Sequence, residues 1–162
     1  MLWSATYLVR YVGMQEERAA SLASMFFLGI TAGRALSGFM TYKFNDMNMI
    51  RIGQAVILAG VVVMLLPLGE LAALAGLLLV GLGCAPIYPS VIHSTPNHFG
   101  EENSQAIIGV QMASAYLGSL LAPPVFGLIA NHISASLLPV YLALILVLMV
   151  LMCEQLNRKC KV

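Results

Sequence analysis

The chain has 162 residues, of which 60% are hydrophobic and only 9% charged, with a mean hydropathy of +0.89. Soluble domains carry about 25% charged residues, and a water-exposed globule of this size has no means of covering so much apolar surface. These values exclude a soluble fold in favour of an all-α integral membrane protein in a lipid bilayer, and the net charge of +1 gives no reason to expect nucleic acid.

The first apolar segment, a partial helix within residues 1–14, is too short to span, because a spanning helix needs about 20 residues. It has neither a basic flank nor a small-residue cleavage site, so it reads as the outer half of a truncated helix, not a signal peptide. On this reading the chain is a fragment. Trp3 and Tyr7 stand four apart on this segment. An aromatic belt at the outer interface accounts for both, and a stacking wall for a sugar ring is the functional alternative. Five full spans follow, at about 17–40, 49–68, 72–97, 104–130 and 137–155. The connections between them are too short to hold a soluble domain. Lys43, Arg51, Arg158, Lys159 and Lys161 fall on one side of the membrane, and only Arg10 and Arg18 on the other. The positive-inside rule therefore places the 41–48 loop and the C-terminus in the cytoplasm of a multi-pass protein.

Polar residues are unevenly shared among the spans. Segments 49–68 and 137–153 are almost pure hydrocarbon, whereas 17–40, 72–97 and 104–130 carry Arg, Ser, His, Gln, Tyr, Asn, Gly and Pro. Buried polar groups in a bilayer cost free energy and persist where they meet protein, water or a substrate. The expectation is two helices facing lipid and three around a polar pathway.

Three constellations carry this reading. In the first, Gly33, Arg34 and Gly38 precede Lys43, Asp46 and Arg51. Arg34 sits about one and a half turns inside a helix end, where it must pair or snorkel, and Asp46 is an available acid. A cytoplasmic gate or hinge is the functional reading, and a topological anchor the bland one. In the second, Ser90, His93, Ser94 and Asn97 recur at three and four and share a helix face, while Tyr88 and Thr95 share another. Tyr88 is a candidate cavity residue, and His93 is a candidate proton relay or a packed histidine. In the third, Gln111 and Ser114 lie above Gly118 and Ala122 in a narrow polar-and-small stripe. Amide donors and acceptors suit a polyol, and an interhelical hydrogen bond is the alternative. Gly29 and Gly33, and separately Ser114, Gly118 and Ala122, are spaced for close helix contact.

Enzyme signatures are absent: there is no His-Glu-x-x-His, Gly-x-Ser-x-Gly, phosphate-binding glycine loop or Cys-x-x-Cys. Cys84, Cys153 and Cys160 have no zinc-type spacing with histidine, so no metal or cofactor is expected. No carboxylate lies in the membrane interior of a full span to drive a proton step.

The Gly33–Arg34–Gly38 stretch with Lys43 and Arg51, the Gly81–Gly100 stretch and the Asn103–Gly127 stretch together resemble the C-terminal half of a major facilitator superfamily transporter. The latter two resemble its fucose permease-like (fucose–galactose–proton symporter) group. The resemblance covers essentially the whole chain. It implies a twelve-helix fold of two six-helix bundles, of which this chain is the C-terminal one with its first helix truncated. The spans 49–68 and 137–155 would then be peripheral. It also implies alternating access in a bacterial inner membrane, with uptake of a sugar or similar small polar solute coupled to protons. The N-terminal bundle, where the protonatable carboxylates are expected, is missing, so the chain is not expected to transport alone. The competing readings are a non-transporting membrane scaffold or assembly partner, and an intramembrane hydrolase using Ser114 and His93.

Overall fold

A computed structural model of the chain describes residues 2–10, 12–66, 69–132 and 134–159. Met1, Cys160 and Lys161, which enter the sequence reading, lie outside the described residues. The elements are α1 (Leu2–Arg10), α2 (Glu16–Ala23), α3 (Met25–Met40), α4 (Asp46–Leu65), α5 (Glu70–Phe99), α6 (Glu101–His132) and α7 (Leu138–Lys159). A single 3-10 turn, Ala135–Leu137, leads into α7. Among the described residues there is no strand. Hydrocarbon offers no partner to a free backbone N–H or C=O, so long apolar runs close their hydrogen bonds within the helix.

Five stretches are long and apolar enough to cross a membrane: Glu16–Met40, Asp46–Leu65, Glu70–Phe99, Glu101–His132 and Leu138–Lys159. The first is α2 and α3 joined through Ser24, which stays in the right-handed helical region at φ −66° and ψ −17°. Glycine ends the helices where the chain must reverse. Gly69 and Gly100 have φ of +70° and +80°, a conformation that side-chained residues rarely adopt. The Gly100 amide donates to the Pro96 carbonyl at 2.9 Å and closes α5. Successive helices run in opposite directions, so α3, α5 and α7 end at the level of the 41–45 turn.

Helix α5 is the centre of the bundle, packed by α3 on one side and α4 on another. Lipid tails are as apolar as leucine, so helices associate through close packing and not through expulsion of water. Glycines on both partners supply that closeness. Gly29 and Gly33 of α3 are buried against Leu78, Leu82 and Ala85 of α5. A methyl group built on Gly33 would stand 2.6 Å from the Ala85 Cβ. On the α4 side, Gly53 and Gly83 face each other, and a methyl on either would lie 2.6 Å from the other's carbonyl oxygen. Gly60 and Gly76 repeat the arrangement two turns along. Pro86, Pro89 and Pro96 lie within α5, which continues through all three.

Burial within the chain does not follow the polarity of the spans. Helix α4, from a bland run, is one of the most enclosed: Met49, Ile50, Gly53, Gln54, Ile57, Gly60, Val61 and Met64 are all buried. These positions recur at three and four and form one face, and Ile57 is only 7% exposed. Helix α6, from a polar run, is the barest: apart from Gln111, residues 109–121 are all exposed. The physical reason is that an apolar side chain suits lipid and protein equally, so hydrocarbon composition does not reveal which side of a helix meets a neighbour. Small residues do, and α4 has them. Helix α7, the other bland span, keeps Leu144, Val147, Leu148 and Leu151 outward.

Substituting Gly83→Leu is expected to lower the stability of the chain in detergent by about 1–3 kcal/mol, the usual range for overpacking. Gly118→Leu, built where a side chain meets nothing within 4 Å, is expected to change it by no more than about 0.5 kcal/mol. Thermal unfolding followed by circular dichroism separates the two outcomes.

Candidate functional site

The polar residues gather into three places. The first is the bare length of α6. Ser114 and Ser119 donate to the carbonyls of Val110 and Ala115, four residues back in their own helix, at 2.8 and 2.9 Å. Their hydroxyls are satisfied without a neighbour. Gly109 and Gly118 meet nothing within 4 Å, so the Ser114–Gly118 stripe is not a helix contact among the described residues. Tyr116 beside it is exposed. On α5, Tyr88 is 45% exposed.

Gln111 is the point where α6 touches α5. The Thr95 hydroxyl donates to the Val91 carbonyl at 2.9 Å and accepts from Gln111 Nε2 at 3.1 Å. The Gln111 carbonyl oxygen also lies within reach of that hydroxyl, at 3.2 Å, so both ends of the amide face Thr95 and one Nε2 hydrogen is left over. The interhelical hydrogen bond is therefore present, and it leaves capacity for a further partner. Thr95 is itself buried. A cavity of about 220 Å³ beside the pair is otherwise mostly apolar, bordered by Met47, Ile50, Val91 and Cys153.

The second place holds the aromatics. Trp3 Nε1 donates to the Pro123 carbonyl at 2.9 Å, and its ring stands edge-on to Phe126, with centroids 5.9 Å apart. The Tyr141 hydroxyl donates to the Ala122 carbonyl at 3.3 Å. Gly127 leaves room for the Trp3 ring, 2.8 Å from where a methyl would stand. Trp3 and Tyr141 thus clasp α6 at its two prolines. Tyr7 donates to the Met64 carbonyl at 3.4 Å and is only 1% exposed, so it borders no open cavity. Against the expectation of a stacking wall, both aromatics of α1 hold the bundle together.

The third place is the end of the bundle at the 41–45 turn. The expected gate cluster divides into separate pairs here. Arg51 reaches α7, not Asp46: its Nε and Nη2 donate to Glu154 Oε1 at 3.0 and 2.7 Å. Asp46 Oδ2 accepts from His93 Nδ1 of α5 at 2.8 Å. Arg34 and Lys43 are exposed, and among the described residues neither makes an ion pair. Gly33 is buried against α5, whereas Gly38 meets nothing within 4 Å. The remaining ion pair among the described residues, Arg18–Glu70 at 3.3 Å, ties α2 to α5 at the opposite end. Sequence reasoning overlooked Glu154. Its signal was a lone carboxylate near the end of a hydrocarbon span, facing a basic residue three spans earlier.

Asp46 and His93 border an open cavity of about 830 Å³, to which α5 also contributes Ser90, Ser94 and Asn97. The face of α5 on which these residues recur is therefore a cavity wall. Among the described residues no group of three or more His, Cys, Asp or Glu is placed to hold a metal ion. The free thiols Cys84 and Cys153 are both partly buried.

Searches of curated proteins and of solved structures returned no match to this chain. A family model described as the Major Facilitator Superfamily matches residues 1–156, all but the last few residues. That family is one of membrane transporters, and the apolar helical bundle agrees with it. With the match extending over nearly its whole length, the chain belongs to the major facilitator superfamily.

Proposed function

We propose that this chain is the C-terminal bundle of a secondary active transporter that moves a sugar or similar small polar solute by alternating access, with protons as the coupling ion. The resemblance of the Gly81–Gly100 and Asn103–Gly127 stretches to the fucose permease-like group supports the solute class. The observation that carries the reading is the bare stretch of α6, where Gln111, Ser114 and Gly118 lie on a helix that the rest of the bundle leaves uncovered. A run of leucines there would suit lipid; hydroxyl, amide and glycine suit a hydrated path against a second bundle. Tyr88, Gln111 and Ser114 are the proposed solute contacts. The second Nε2 hydrogen of Gln111 and the remaining lone pair of its carbonyl match a hydroxyl that both gives and takes a hydrogen bond.

On this reading the second six-helix bundle completes the path, and the chain works only with it. Gly33, Arg34, Gly38, Lys43, Asp46 and Arg51 form the gate region, with the Arg51–Glu154 and Asp46–His93 pairs as contacts that a change of state must exchange. The excess of Lys and Arg supports a cytoplasmic location for the 41–45 turn and the C-terminus in a bacterial inner membrane.

Two measurements test the proposal. Single cysteines at 88 and 114 should react with a membrane-impermeant maleimide in native membranes, while cysteines at the equally outward positions 144 and 148 of α7 should not. Equal labelling of both sets sinks the idea of a water path. When the chain is co-expressed with a complementary six-helix bundle, Gln111→Ala should abolish proton-gradient-driven sugar uptake. Thr95→Val, which removes the interhelical bond but leaves the Gln111 amide in place, should retain uptake. Loss in both variants would mean that the Gln111–Thr95 bond acts as a brace and not as a solute contact.

A further inference from the structure

The Asp46–His93 contact has a chemistry that the transport reading does not use. It joins two elements 47 residues apart in sequence and lies at the mouth of an open cavity. A carboxylate oxygen only accepts, so the neutral imidazole must place its hydrogen on Nδ1, toward Asp46. Nε2 is then the basic atom. The His93 side chain is 80% exposed at the open cavity, while the Asp46 side chain is only 22% exposed.

Among the described residues, no other group around the cavity bonds to this pair. Thr41 and Asn45 border it from the α3 side and Asn157 from α7, and none of these titrates. His98, the other titratable group on the wall, donates its Nδ1 hydrogen to the Ser94 carbonyl of its own helix at 2.7 Å. Lys43 and the Arg51–Glu154 pair sit at the same end but do not border the cavity.

We propose that Asp46 and His93 form a proton-binding site that clamps the 41–45 turn and the first turn of α4 onto α5. Uptake of one proton on Nε2 turns a neutral imidazole into a cation without breaking the Nδ1–H bond to Asp46. The contact, already assisted by the carboxylate charge, becomes an ion pair as well. The clamp is therefore tight when His93 is charged and loose when it is neutral, a change that falls between about pH 5 and 8 for an ordinary imidazole. The site needs no solute and no second bundle to bind its proton, and it adds proton control to one of the contacts assigned above to the gate region.

Hydrogen–deuterium exchange of the full chain in lipid nanodiscs tests it, corrected at each pH for the intrinsic exchange rate. The reporters are the amides of Phe44 and Met49, which donate to the Met40 and Asn45 carbonyls at 3.0 Å. Their protection is expected to be roughly two- to fivefold greater at the acid end of the range than at the alkaline end. Asp46→Asn and His93→Gln should abolish the difference. His93→Lys, with a cation at every pH in the range, should keep the strong protection throughout. Unchanged protection at α4 amides 58–64 identifies folded variants, and if one unfolds, the other two still decide. A flat wild-type profile overturns the proposal, as does a pH dependence that survives in the variants.

Discussion

Helix α5 is gripped on two sides at backbone distance, and the rest of the bundle hangs on that grip. In lipid no water is squeezed out when helices meet, so association depends on how many atoms come into van der Waals contact. Gly29 and Gly33 on α3, and Gly53 and Gly60 on α4, let carbonyls and side chains of α5 lie where a β-carbon would otherwise stand. The three helices form a slab. Helices α1, α6 and α7 join it through fewer, more specific contacts: the Trp3 and Tyr141 hydrogen bonds, the Gln111–Thr95 pair and the Arg51–Glu154 pair.

That division matters for function because a transporter must be rigid in some places and loose in others. The slab is held by packing that cannot be exchanged piecemeal. The contacts at the 41–45 end are polar, few and partly exposed, and each of them can be broken without opening the core. Exposed ion pairs contribute only about 0–1 kcal/mol, which suits contacts that must be made and released.

The all-helical membrane class was legible in composition and run length, because hydrocarbon solvent leaves a chain so few options. The close packing of α3 was also legible, in the four-residue spacing of Gly29 and Gly33. The same spacing misled at Ser114 and Gly118, because small residues serve helix contact and open space alike. The placement of α4 was misread because polarity was used where smallness carried the information: Gly53 and Gly60 were visible, but Gln54 was the only polar residue in their stretch. The ion pairs were not legible at all. Asp46 had Arg34, Lys43, Arg51 and His93 as available partners, and only the rotation of α5 and the arrival of α7 decide among them.

The two prolines of α6 have one more mechanical meaning. Pro123 and Pro124 have no amide hydrogen, so the carbonyls of Ser119 and Leu120 lose the helix bonds they would otherwise receive. Immediately beyond, Trp3 and Tyr141 pin the Pro123 and Ala122 carbonyls to α1 and α7. Compliance and anchorage thus sit side by side on one helix. Force applied to the unsupported length of α6 bends it at 119–124, as a reed bends where it enters the bank, and leaves the far end at rest.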